Sequence, residues 1–282
     1  PQPVHPPDIN SARQVRSPID RFLLARLEAA GLRPAPETDR RSLIRRATFD
    51  LHGIPPTPDQ VNAFLADNRP GAFSRLVDRL LASPYYGQRY GRLWLDVVRY
   101  ADSNGMDDNL YYADAWRYRD WVVDRFNNDW PFDRFLVEQI AGDLVPGTSD
   151  EAASERHARV IATGFLTLGP KMLAEDDPTK QQMDIVDDQI DTLGRSALGL
   201  TLGCARCHDH KFDPVPTSDY YALAGIFKST QVMLSFRVDS KWNARALGPA
   251  SLEQQLSQLE GTIDRLDRIL VLGNQQQMSP EL

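Results

Sequence analysis

The two cysteines of this 282-residue chain, Cys204 and Cys207, lie in one short segment and are followed directly by His208. Two thiols at this spacing can each add to one vinyl group of a haem, and the histidine that follows can then ligate the iron. The Cys-x-x-Cys-His pattern is therefore typical of covalent c-type haem attachment. We predict one covalent haem c per chain, held through Cys204 and Cys207, with His208 as the proximal iron ligand.

Paired cysteines also occur in zinc sites, redox motifs and disulfides. A structural zinc site usually takes four ligands from two separate segments, whereas Cys204, Cys207, His208 and His210 all fall within seven residues. A thioredoxin-like pair follows a strand at the start of a helix, but the residues before Cys204 have a helical pattern. The adjoining histidine favours haem over zinc, a redox pair or an inert disulfide.

The second axial ligand of the iron is sought among the methionines and histidines. Met233 follows the helix predicted beyond the motif, so its thioether could approach the open face of a haem. Met183 lies 21 residues before Cys204, about 30 Å along a continuous helix, and could ligate only if Gly194 or Gly199 breaks that helix. We predict Met233, with Met172, His210, His157 or an open site as the alternatives.

Capped and periodic helical segments account for most of the chain, and strand-like alternation is nearly absent. Ser17-Pro18 and Thr57-Pro58 each place a capping hydroxyl before a proline at the first helical position. A helical pattern from 179 to 200 leads to the cysteines, and Thr217 is predicted to cap the next helix. The predicted fold is mainly α, an irregular multi-helix domain around a c-type haem. In the first helix the apolar residues Ile19, Phe22, Leu23, Leu27 and Ala30 are predicted to share one face, and Gly31 is predicted to end the helix.

Three segments are expected along the chain. A proline-rich arm or linker spans 1–16, a helical cytochrome-c-like domain spans 17–243, and a heptad helix with a tail spans 244–282. The heptad positions are Leu252, Leu256, Leu259, Ile263, Leu266 and Leu270. Such a narrow apolar seam suits one partner helix, either in an antiparallel hairpin or in a coil with another chain.

Composition limits the classes of partner. The net charge of −7, with no clustered lysines and arginines among aromatics, disfavours nucleic acid. No run of 18 apolar residues exists, so no membrane span is predicted. Covalent haem attachment is an extracytoplasmic process, so we expect a periplasmic or otherwise extracytoplasmic location. We also expect Pro1 to begin a processed chain or a fragment.

Two polar stretches can each be interpreted as solvated surface or as a binding site. Seven acidic residues near the 179–200 helix are predicted to form a solvated face, with a docking patch for a basic partner as the alternative. They are Glu175, Asp176, Asp177, Asp184, Asp187, Asp188 and Asp191. The oxygen-rich segment 102–109 is predicted to be a solvated or substrate-facing loop. A calcium loop is the alternative, although Tyr100 and Tyr111 then occupy ligand positions.

Four segments resemble the planctomycete-type cytochrome-c-like domain family. They are 17–22, 46–58, 94–102 and 198–214, the last reading L-G-L-T-L-G-C-A-R-C-H-D-H-K-F-D-P. In that family the domain follows an N-terminal cytochrome c domain and precedes a large C-terminal domain of unknown function. The resemblance covers about 17–242 and implies a large extracytoplasmic redox protein with no established substrate. Tyr85 and Leu93 depart from it, since they stand where relatives often have histidine.

These observations favour an electron-transfer module that exchanges single electrons with other cytochrome domains or redox partners. One alternative is a haem-dependent oxidoreductase acting on a carbohydrate or polymer fragment, with Arg99 and the 102–109 loop near an open haem face. Another is a scaffold or interaction module whose haem is structural. An iron with methionine or histidine on both sides favours the carrier, and an open coordination site favours the enzyme.

Overall fold

The computed structural model describes residues 5–9, 15, 17–106, 109–147, 152–236, 240, 242–245 and 247–248, with separate helical positions between 252 and 269. These residues are mainly helical and contain no strand, which confirms the predicted fold class in its coarser form. Two isolated β-bridges join Ser103 to Tyr111 and Met233 to Trp242. In the described part of the chain, no helix is both long and apolar enough to cross a membrane.

The chain divides into two compact units, 1–77 and 78–282. The helices that begin in the first unit are α1 (Pro18–Ala29), α2 (Arg40–His52), α3 (Pro58–Ala66) and α4 (Ala72–Leu81), which ends in the second. Thr57 and Gln60 form the predicted capping box: Thr57 Oγ1 accepts from the Gln60 amide at 3.3 Å, and Gln60 Oε1 accepts from the Thr57 amide at 2.8 Å. The predicted boundaries after 16 and 243 stay predictions.

Three residues of the apolar face predicted for α1 are exposed. Ile19, Phe22 and Leu23 are exposed, whereas Leu24 is the buried residue of this helix. Apolar side chains surround most of the circumference of α1, so periodicity alone does not determine which side another element covers.

The second unit contains the helices that position the cysteines. They are α5 (Pro84–Val97), α6 (Ala115–Asn127), α7 (Phe132–Ala141), α8 (Ala153–Ala162), α9 (Pro178–Leu193) and α10 (Thr217–Lys228). Their core is rich in aromatic rings, among them Trp94, Tyr118, Trp121, Phe135 and Phe165. The Trp94 indole N–H donates to Gln139 Oε1 at 2.9 Å, so its one polar atom is satisfied inside the core. Leu202 and Ala205 of the cysteine segment belong to the same core.

A buried ion cluster ties α9 to two loops. Asp188 Oδ1 lies 2.5 Å from Arg99 Nη2, and Asp188 Oδ2 lies 2.7 Å from Lys171 Nζ. The side chain of Lys171 is 1 % exposed, and its burial lowers the pKa of the ammonium group while the Asp188 carboxylate opposes that shift. Asn104 lies alongside, since its Nδ2 donates to the Lys171 carbonyl at 3.1 Å. One carboxylate thus pairs with the buried ammonium of Lys171 and with the partly exposed guanidinium of Arg99.

Candidate functional site

Helix α9 ends before the cysteines. Asp177 begins the helix by accepting from the Thr179 and Lys180 amides, as an N-cap carboxylate does. The helix ends at Leu193, a wider π-type turn follows at Gly194–Leu198, and Gly199 takes a left-handed φ of 67°. The helical prediction for 179–200 therefore holds to Leu198, with the π-type turn as its last part, and is wrong at 199 and 200. A left-handed glycine reverses the chain there, and the cysteine segment returns to pack on α9.

Gly194 makes this return possible. A Cβ at Gly194 would lie 2.6 Å from Leu202 Cγ and 2.9 Å from the Leu200 carbonyl oxygen. The absence of a side chain therefore lets the cysteine segment approach the end of α9 closely.

We expect Gly194→Ala to lower the free energy of unfolding by about 1–3 kcal/mol, because the added methyl group must displace Leu202 or the backbone. Urea denaturation measures this difference. The matched control is Gly225→Ala inside α10, where a Cβ meets nothing within 4 Å; there alanine should stabilise by about 0.5–1 kcal/mol. Equal stability of the two variants would contradict the close packing of Gly194 on Leu202.

The cysteines lie on a short 3₁₀ turn, Leu202–Arg206, and on the residue after it. Leu202 and Ala205 are buried and hold the turn to the core, while Cys204 and Cys207 are exposed. Both cysteines are free thiols. The turn therefore presents two unpaired thiols to solvent from an anchored backbone.

The imidazole of His208 is exposed and oriented by the backbone. Its Nδ1 lies 2.7 Å from the Asp209 carbonyl oxygen. A carbonyl oxygen only accepts hydrogen bonds, so Nδ1 must carry the proton. The neutral ring then has its lone pair on Nε2, the arrangement that a metal-ligating histidine commonly has.

His210, named above as an alternative iron ligand, has both ring nitrogens in use. Nδ1 accepts from the Asp213 amide at 2.9 Å, and Nε2 lies 3.4 Å from Thr201 Oγ1. The Asp213 carboxylate also lies 3.2 Å from Nδ1. An ion pair there would need a proton on Nδ1, but the lone pair of Nδ1 already accepts the hydrogen bond from the Asp213 amide. We assign the neutral Nε2–H tautomer. The ring of His210 thus connects Thr201, before the cysteines, to Asp213, after them.

The start of α10 is fixed from the motif. Asp209 Oδ1 accepts from the Thr217 amide at 2.8 Å, and the His210 amide donates to the Val215 carbonyl at 2.9 Å. Thr217 was predicted to cap this helix with its own hydroxyl. That prediction is wrong, because Thr217 is the first residue within α10 and the nearby carboxylate of Asp209 binds its amide.

Most of the predicted acidic face is engaged in ion pairs. Arg206 pairs with Asp184 at 3.7 Å and Asp187 at 3.3 Å, and Arg195 pairs with Asp191 at 2.8 Å. Lys180 pairs with Asp184 at 3.1 Å and also with Glu175. These contacts hold the cysteine segment and the end of α9 in place. Sequence reasoning missed them, although the one-turn spacing of Asp184 and Asp187 placed both on one helix face.

Met233 lies in a hydrophobic cluster separate from the cysteine segment. It is 3 % exposed and packs with Leu173 and Ile185, with Tyr112 and Trp242 nearby. As an iron ligand its thioether would have to leave this cluster. Its assignment to the iron stays a prediction. Of the alternatives, His157 is part of α8 and Met172 lies half-buried before α9.

The 102–109 loop is partly structural. Asn104 is 1 % exposed, and its Oδ1 accepts from the Leu110 amide at 2.8 Å. Residues 107 and 108 lie outside the described residues. Within the part of the chain that the structure describes, no group of three or more His, Cys, Asp or Glu side chains is arranged to hold a metal ion.

The residues of the turn fit a covalently attached haem. Two exposed, unpaired thiols lie on one anchored turn, and the following imidazole has its lone pair on Nε2. Phe212 follows His208 by four residues, and its side chain is 83 % exposed. An apolar side chain close to the motif in sequence is therefore accessible. The fold and the site together define a mainly helical domain with a Cys-x-x-Cys-His segment on an exposed turn.

A family model described as PSCyt2, protein of unknown function (DUF1549), matches residues 18–232. The chain belongs to this family of planctomycete cytochrome-c-associated domains. No curated protein matches the chain, and no solved structure matches it.

Proposed function

We propose that this chain is a c-type cytochrome domain that carries one covalent haem and transfers single electrons within a larger extracytoplasmic redox protein. The observation that carries the proposal is the orientation of His208 beside two exposed free thiols. A backbone carbonyl holds the Nδ1 proton and leaves Nε2 as the ligating nitrogen. When bound, the haem supplies a one-electron couple at its iron.

The two thiols form the attachment. Cys204 and Cys207 would each hold the haem through a thioether to one vinyl group, in which a sulfur–carbon bond would replace the S–H bond and the thiol hydrogen would go to the neighbouring vinyl carbon. The addition consumes no oxidant or reductant. Leu202 and Ala205, buried on the same turn, resist movement of the backbone while His208 is held for the iron.

The C-terminal helix is proposed to bind a partner helix in the larger protein. The described heptad positions are helical, and Leu252, Leu259, Ile263 and Leu266 are exposed. Leu256 is half-buried, and Leu270 lies outside the described residues. An exposed apolar seam at heptad spacing suits a second helix from a redox partner or from another domain of the same protein.

A second candidate function is an oxidoreductase with an open iron face, which would act on a carbohydrate or polymer fragment. The position of Met233 favours it, because the thioether packs with Leu173 and Ile185 and both nitrogens of His210 are in use. A scaffold with a structural haem has no specific observation in its favour.

Met233→Ala separates the two candidates. We expect a loss of about 2–5 kcal/mol in the free energy of unfolding, since a buried methionine is truncated. For a carrier with Met233 at the iron, the variant should also lose the near-infrared methionine-to-iron band and show a lower reduction potential. His208→Ala is the comparison, and it should disturb the iron in either case. An unchanged spectrum, with rapid binding of carbon monoxide by the natural protein, would reject Met233 and support the second candidate.

A further inference from the structure

Arg206 occupies the second variable position of the Cys-x-x-Cys-His segment and reaches back to α9. Its Nη2 lies 3.7 Å from Asp184 Oδ1, and its Nη1 lies 3.3 Å from Asp187 Oδ2. The two carboxylates are one helical turn apart, so the planar guanidinium can bridge them. Arg206, which lies between the two cysteines in sequence, is thus paired with two carboxylates of α9.

The same arginine also connects the turn to α10. Tyr220 donates to Asp187 Oδ1 at 2.5 Å, and Tyr221 donates to the Arg206 carbonyl oxygen at 3.1 Å. Burial, together with the hydrogen bond to Asp187, raises the pKa of the Tyr220 hydroxyl. Tyr220 therefore remains a hydrogen-bond donor at neutral pH. Side chains from α9 and α10 converge on this one position of the turn.

We infer that Arg206 is a positioning residue for haem attachment: its pairing with Asp184 and Asp187 fixes the direction in which Cys204 and Cys207 project. The inference rests on the proposed function. A 3₁₀ turn has poorer hydrogen-bond geometry than an α-helix, and only Leu202 and Ala205 bury it in the core. Two thiols and an imidazole must nevertheless meet one rigid planar group. The side-chain contacts of Arg206 add a second restraint to the anchoring of the turn by Leu202 and Ala205.

The effect of Arg206 should be local. Its side chain is 37 % exposed, and those of Asp184 and Asp187 are 39 % and 31 % exposed. Ion pairs this open to water contribute little to global stability. Loss of Arg206 should therefore loosen the turn and leave the aromatic core folded.

The test compares Arg206→Ala with Arg195→Ala in the full chain. Arg195 lies in the π-type turn after α9 and pairs with Asp191 of α9 at 2.8 Å, so it is a matched control that also brings an exposed guanidinium to a carboxylate of α9. Two quantities are measured on the chain as purified: amide hydrogen exchange across 200–212, and the fraction of chains with covalent haem. For Arg206→Ala we expect exchange about five- to tenfold faster and attachment about fivefold lower.

Arg206→Lys adds a rescue. Lysine keeps the charge but lacks the planar fork, so this variant should recover part of both effects. Equal exchange and equal haem content in Arg206→Ala and Arg195→Ala would overturn the inference while leaving the proposed function intact. Absence of covalent haem from the natural protein would overturn the proposed function, and with it the role of Arg206 in attachment.

Discussion

Replacing Asp188 by alanine is expected to lower the free energy of unfolding by about 3–5 kcal/mol. Asp188 is the carboxylate between Arg99 and Lys171, at 2.5 Å and 2.7 Å. Its removal leaves the ammonium of Lys171 buried and uncompensated, because that side chain is only 1 % exposed. Urea denaturation at neutral pH measures the loss.

The same variant should acquire a steeper pH dependence. Burial already lowers the pKa of Lys171 from its ordinary value of 10.5, and loss of the opposing carboxylate lowers it further. Between the folded pKa and 10.5 the unfolded chain binds more protons, so the free energy of unfolding rises as the pH rises toward 10.5. Asp191→Ala is the control, since its partner Arg195 is exposed and the pair is worth about 0–1 kcal/mol. A loss as small as that control would show that Lys171 and Arg99 do not depend on Asp188.

Replacing both cysteines by serine is expected to abolish covalent haem attachment, because Cys204 and Cys207 are the only thiols in the chain. Each single replacement should leave one thioether, which a pyridine haemochrome spectrum distinguishes from two. The stability of the haem-free chain should change little, since both side chains are exposed. Haem that remains covalently attached in the double variant would contradict the assigned attachment residues.

Local signals predicted much of the secondary structure. The Ser17-Pro18 start of α1 and the Thr57-Gln60 capping box use contacts between residues close in sequence, so their geometry follows from the chain itself. The exposure of Cys204 and Cys207 agrees with what the haem-attachment prediction requires, because thiols that are to react with a cofactor must be accessible.

Tertiary contacts account for what the sequence did not predict. After α9 the chain turns back at Gly199 and Leu202 closely approaches Gly194. Periodicity does not predict a contact that forms only after the chain turns back. The Asp209 cap on Thr217 is similar, since its partners are eight residues apart and join through a loop. The burial of Met233 with Leu173 likewise unites segments from distant parts of the chain.

The two arginines of the cysteine region show the same limit. Arg195, in the π-type turn that follows α9, pairs with Asp191 at i,i+4, a contact that the spacing alone can predict. Arg206 pairs with Asp184 and Asp187 only because the chain reverses after α9. The acidic residues therefore read as a solvated face in the sequence, whereas in the fold several of them hold the cysteine turn.

The most direct test of the central claim is acid–acetone extraction of the full chain, produced in a host with an active cytochrome c maturation system, followed by intact mass and a pyridine haemochrome spectrum. We predict that haem stays with the polypeptide, that the mass increases by one haem per chain, and that the spectrum is of the two-thioether type. Haem released into the solvent, or a chain that carries one equivalent of zinc and no haem, would contradict the assignment of Cys204, Cys207 and His208.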